Sequence, residues 1–161
     1  MDTTIVQKHL VKIFFSPRFA EFLVLGLVFL FCVRSIVDFD VWYHLKAGEY
    51  NFSNLTVLRH DVFSFSAQGA EWISHSWLAE VIFYLVYAFA GGIWGLVFFS
   101  ALMAVLVYFI VLRTAEVRGA PPFFSALLVL PLGYLTFELF VPRPQIFSYL
   151  FLVLLIYLLE R

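Results

Sequence analysis

Long apolar runs separated by short polar breaks dominate the chain, and a single long polar stretch interrupts them. The first run, 19–37, is broken only by Glu21 near one end and Arg34 near the other. Further runs cover 92–112, 121–141 and 145–161, the third opened by Pro121-Pro122. A helix crossing a hydrocarbon core of about 30 Å needs about 20 predominantly apolar residues, so the pattern predicts an all-α membrane protein with about four transmembrane helices. The last run is short for a crossing and must tilt little or begin inside the protein. Residues 1–18 carry Lys8, Lys12 and Arg18 and read as a basic cytoplasmic N-terminus, and 113–120 as a cytoplasmic turn. Between the last two runs, Pro142-Arg143-Pro144 is a tight outer turn, because each proline removes a donor and biases its predecessor away from helix. The first run exceeds the roughly 7–15 residues of a secretory h-region and lacks a small-residue cleavage site, so it reads as an uncleaved signal anchor.

The polar stretch 38–91 is predicted to be an extracytoplasmic loop with one or two interfacial helices. Asp38–Tyr50 has helical character ended by 51–54, whereas Val62–Ser66 alternates as a short extended segment followed by a Gln68-Gly69 turn. In 76–90, Ser76, Glu80, Tyr84 and Tyr87 recur at helical spacing and form one polar stripe. At about 22 Å this segment is too short for a full crossing, and reads as an amphipathic helix lying in or re-entering the interface, stopped by Gly91-Gly92.

Composition agrees: 63% hydrophobic, 20% aromatic and 13% charged, with mean hydropathy +0.97, excludes an ordinary water-soluble domain. The net charge of −1 gives no basic footprint, so no nucleic-acid partner is expected. The single cysteine, Cys32, has no intrachain disulfide partner. Lys8, Lys12, Arg18, Arg113, Arg118 and Arg161 fall on one side, against Lys46, Arg59 and Arg143 on the other. By the positive-inside rule the N-terminus is cytoplasmic and 38–91 lies outside, in an acidic segment containing Asp38, Asp40, Glu49, Asp61, Glu71 and Glu80.

Candidate chemistry concentrates there. Asp38 and Asp40 leave the first span at the outer surface, where two carboxylates suit a shared divalent cation or a general base toward a hydroxyl, or merely mark the water boundary. On a helix from Asp40, His44 lies one turn on, with Lys46 nearby; Trp42, Tyr43 and His44 equally suit an aromatic belt. Arg59, Asp61, His75 and Glu80 complete the set of candidate binding residues. Arg143 is a fork for a phosphate, or the structural partner of Glu138. Asn51-Phe52-Ser53 and Asn54-Leu55-Thr56 match the glycosylation acceptor pattern. No zinc-protease, nucleophile-elbow or phosphate-loop motif is present.

The order Asp38-Phe39-Asp40-Val41-Trp42-Tyr43-His44-Leu45-Lys46-Ala47-Gly48-Glu49, then Arg59-His60-Asp61-Val62-Phe63-Ser64-Phe65, then Trp72-Ile73-Ser74-His75-Ser76-Trp77-Leu78-Ala79-Glu80, resembles the N-terminal region of bacterial GT-C-type polytopic membrane glycosyltransferase-like proteins. Arg143-Pro144-Gln145 before an apolar helix fits the same pattern, and the resemblance runs from about residue 19 to the end. It implies transfer of a sugar from a polyprenyl-phosphate donor on the outer side of the bacterial inner membrane. Asp38 or Asp40 would then be the base or the metal ligand, and Arg143 a phosphate contact. Such enzymes have many more spans, so the chain corresponds to a fragment or a reduced relative. The partners implied are membrane lipid and the lipid-linked sugar donor. A competing reading is a non-catalytic small subunit packing on membrane protein partners, favoured by 21 Phe and 8 Tyr on broad apolar helix faces. A transporter would need broken helices or paired midplane charges, for which Glu138 and Pro131 are too little.

Overall fold

The computed structural model describes residues 17–161; the expected basic N-terminus, apart from its last two residues, lies outside them. Six α-helices follow in order: α1 Pro17–Cys32, α2 Asp40–Asn54, α3 Trp77–Phe89, α4 Ile93–Val117, α5 Pro122–Thr136 and α6 Gln145–Glu160, with a 3-10 turn Phe137–Leu139 after α5. Among the described residues there is no strand, and the only bridge pairs His60 with Glu71. The all-α expectation therefore holds.

Among the described residues two helices are long and apolar enough to cross a membrane: Ile93–Val117, with 25 residues, and Pro122–Leu139, with 18. This departs from the expectation of about four spans. The run 19–37 is helical only to Cys32; it stops before Arg34-Ser35 and the β-branched Ile36-Val37, giving a helix of 16 residues. Helix α6 also has 16 residues, a length of about 24 Å.

The chain divides into two compact units. Among the described residues, one comprises 17–34, Ala101–Phe140 and Ser148–Arg161; the other comprises Ser35–Ser100 and Val141–Phe147.

In the first unit α1 packs on α5. Val24, Val28 and Cys32 recur every fourth residue and are buried, as are Ala126, Val129 and Gly133. Gly133 permits the close approach, since a Cβ there would lie 2.6 Å from a Val28 methyl. Beside it, Phe31 and Tyr134 meet edge to face at 5.6 Å. Buried Glu21 is bonded by Arg113, which also bonds Glu116 and lies over the Phe109 ring. Such pairing is what an ionisable group requires in an apolar setting. At the other end, Arg34 reaches the Glu138 carbonyl at 3.4 Å and covers the Phe137 ring.

The second unit is built on the α2–α3 pair. Helix α2 runs through to Asn54 rather than ending at 51–54 as expected. The Asn51 side chain does not compete for its own backbone; its Oδ1 accepts from Leu58 N–H at 2.8 Å and folds the following chain back. Leu55 closes the helix with φ 49°, a left-handed conformation. After it, Trp72 N–H donates to the Arg59 carbonyl and Asp61 N–H to the Ala70 carbonyl, both at 2.8 Å, around Gly69 at φ +83°. The turn at Gly69 is thus found. The extended segment at 62–66 is not, because the Asp61 carboxylate accepts from the Phe63 and Ser64 amides, each at 2.9 Å, and curls the chain.

Candidate functional site

Two polar centres form in the second unit, and both use residues singled out from the sequence. The first joins the start of α2 to the turn before α6. The Arg143 guanidinium forks onto Asp38, with Nε bonding Oδ2 and Nη2 donating to Oδ1 at 2.7 Å, while the same Nη2 stands 2.8 Å from Asp40 Oδ2. Local covalent constraints put the arginine there. Pro142 and Ile146 are buried, and Phe147 packs on Phe83 and Phe99 with centroids 5.8 Å and 6.2 Å apart. The Arg143 carbonyl accepts from Ile146 N–H at 3.0 Å, so the prolines and the first turn of α6 hold the residue from both sides. On the other strand of the clamp, the Asp40 amide donates to Asp38 Oδ1 at 3.1 Å and fixes the spacing of the two carboxylates.

The Arg143 hydrogen bond holds the Asp38 carboxyl below its ordinary range, against a smaller upward push from burial. Asp38 in turn raises the arginine further. Asp40 is the open member of the set, with 63% of its side chain exposed. The carboxylate partners of Arg143 are therefore Asp38 and Asp40, where the sequence also offered Glu138.

The second centre is Glu80, 1% exposed on the inner face of α3. His44 Nδ1 lies 3.2 Å from Oε1, Ser76 Oγ donates to Oε1 at 2.9 Å, and Ser74 Oγ donates to Oε2 at 3.0 Å. Burial alone would push this carboxyl up, but the bonds from His44, Ser76 and Ser74 together outweigh it and leave Glu80 below its ordinary value. Tyr43 stacks at 5.1 Å on His44 and 5.4 Å on Trp72, and burial followed by the Glu80 charge pushes its phenol up to about 12. This centre ties α2 to α3.

The remaining candidates stand apart from both centres. Lys46 is exposed and bonded to Glu49 at 2.6 Å one turn along the helix, which raises it. Asp61 is fully used by its own turn, with Ser64 Oγ also donating to Oδ2 at 2.5 Å; that bond first, then the amides of Ser64 and Phe63, lower its carboxyl. These bonds brace the turn that follows Asp61. Arg59 and His75 are exposed.

Sequence reasoning did not place Ser74, Ser76, Asn51 or Gly48 among the candidate site residues. The serines carried a usable signal, since Ser76 precedes Glu80 by one helical turn. Asn51 and Gly48 carried none beyond their residue types, because their roles depend on which element passes over them.

The donor set at Asp38 and Asp40 bears on the expected divalent cation. Among the described residues no group of three or more His, Cys, Asp or Glu side chains gathers in a way that could hold a metal ion. The two carboxylates already face one guanidinium, so a cation would meet like charge. The pair as arranged does not fit a divalent ion. It fits an exchange of anions on Arg143: a phosphate or another carboxylate can take the fork and release Asp40. No family model, no curated protein and no solved structure matches this chain.

Proposed function

We propose that this chain is a GT-C-like membrane glycosyltransferase module that transfers a sugar from a polyprenyl-phosphate donor on the extracytoplasmic side of a bacterial inner membrane. In this reading the chain is multi-pass, α1 and α6 cross together with α4 and α5, the N-terminus is cytoplasmic, and α2 and α3 lie at the outer surface. The observation that carries it is the Arg143 fork on Asp38 and Asp40. A single cation between two carboxylates is poised to trade one for a phosphate.

The donor phosphate takes the guanidinium, and Asp40, the exposed member, is left as a base. The acceptor hydroxyl gives its proton to Asp40 as its oxygen bonds the anomeric carbon. The bond from that carbon to the phosphate oxygen breaks, and the electron pair stays on the phosphate, where Arg143 stabilises the growing charge. Asp38 keeps the arginine oriented and stays ionised. The resemblance of 38–49, 59–65 and 72–80 to this enzyme group, and the apolar character of α4 and α5, support the same assignment.

A second reading has its own observation. Helix α6 exposes Phe151, Leu152, Leu155, Leu158 and Leu159, a face suited to partner helices as well as to lipid. The chain would then be a non-catalytic subunit. Native purification in mild detergent, with mass spectrometry of bound lipids and proteins, separates the two. Retained polyprenyl phosphate that is lost in Arg143→Gln supports transfer. Stoichiometric protein partners and no such lipid would sink it.

A further inference from the structure

A cleft of about 520 Å³ opens where the end of α2 faces the start of α3, within the size range of ligand pockets. Its walls are Phe52, Leu55, Val81 and the half-exposed Trp77, with Arg59 and Asn51 as the main polar groups. We propose that this cleft binds an amphipathic anion, an acidic headgroup carried on an apolar body, as a site separate from Asp38, Asp40 and Arg143.

Charge selects the head. No acidic side chain lines the cleft, and the Arg59 guanidinium forms no ion pair among the described residues. Glu71 borders an adjoining cleft with Arg59 and leaves it unpaired. An unpaired guanidinium fork beside an aromatic wall matches a carboxylate or phosphate. Asn51 closes the floor of the cleft and holds its shape, its Oδ1 accepting from Leu58 N–H at 2.8 Å.

The walls select the body. Leu55 is 90% exposed, and it is held at the rim in a left-handed conformation that leucine rarely adopts. Phe52 and Trp77 are each 43% exposed. An apolar chain laid along them removes surface that water now covers, and a bare anion would gain nothing from it. A phosphate alone and a lipid with a phosphate head share the chemistry at Arg59 and differ only at these walls.

The test uses the full chain in dodecyl maltoside, whose tail lacks a charge, titrated with dodecyl phosphate and separately with inorganic phosphate. The Arg59 Nε–H resonance, assigned by its loss in Arg59→Gln, reports this site alone. Saturable shifts with dodecyl phosphate, in the wild type and equally in Arg143→Gln, are expected. Affinity should fall about tenfold in Trp77→Ala, and inorganic phosphate should bind at least tenfold more weakly. No shift in the folded wild type overturns the proposal, as does equal binding of inorganic phosphate, which would leave only a free-anion site. Because Arg143→Gln is read alongside, failure here leaves the sugar-transfer reading standing, and failure of that reading leaves this site standing.

Discussion

Gly48 on α2 lies directly against the Glu80 carbonyl on α3: a Cβ at Gly48 would stand 2.1 Å from that oxygen, 2.6 Å from its carbon and 3.0 Å from the Tyr84 Cβ. The obstacle is helical backbone, which cannot turn aside. Gly48→Ala must therefore push the two helices apart and loosen His44 from Glu80. A loss of about 3 kcal/mol is expected, at the upper end of overpacking costs. Chemical unfolding of the full chain in detergent measures it, and an unchanged midpoint would mean that α2 and α3 do not meet at this glycine.

Glu80 should give the second unit an acid-sensitive anchor. Its carboxyl titrates below the ordinary 4.5 when folded, so the fold favours the charged form. The resulting stability is fully present above about pH 4.5 and is lost as pH falls through the lower folded value. Asp38 and Asp61, both also lowered, act in the same direction below their ordinary 3.8. Glu80→Gln should cost about 2 kcal/mol at pH 7, since three donors then face an amide in place of a carboxylate. Its deficit should shrink on acidification below pH 4. Hydrogen exchange of 40–54 and 77–89 across pH 3–7 reads this; parallel curves for variant and wild type would remove Glu80 as the source.

Arg143 and Asp38 form a directional fork, so lysine should not replace the arginine. Arg143→Gln is expected to let the Asp38 carboxyl rise toward its ordinary 3.8 or beyond, because the first cause of its lowering is gone. Arg143→Lys should restore only part of the shift, since an ammonium is a point charge without the second parallel bond. Carboxyl carbon NMR against pH measures both. Full restoration by lysine would reduce the clamp to simple charge attraction.

How far these features were legible in the sequence differs from residue to residue. The helical character of α2 and α3 followed from spacing, and so did the placing of His44 one turn beyond Asp40. Arg143 was marked by its two prolines, yet whether it met Glu138 or the loop carboxylates depended on contacts across about 100 residues of chain. Such contacts have no local signature. The stripe of Ser76, Glu80, Tyr84 and Tyr87 predicted an amphipathic helix, and Glu80 within it is buried toward His44: a polar stripe announces amphipathicity without saying which face is wet. The length of α1 was missed because hydropathy continues through Val33, Ile36 and Val37 while the helix does not.

Gly133 on α5 and Val28 on α1 offer a sharper test of the first unit. A Cβ at Gly133 would come within 2.6 Å of one Val28 methyl, and the other Val28 atoms lie at 3.8 Å and beyond. Here the obstacle is the end of a side chain, but valine in a helix has essentially one χ1 rotamer and cannot swing clear. Gly133→Ala alone should destabilise by about 1–2 kcal/mol through overpacking. Val28→Ala alone should cost a similar amount by leaving a gap. In the double variant the new methyl occupies the space vacated by valine, so the two costs should sum to more than the measured total by about 1 kcal/mol or more. Additive costs would mean that α1 and α5 do not touch at this pair. The predicted sign of coupling depends only on that contact, so unfolding of the four proteins in one detergent decides it whatever the chain does in the cell.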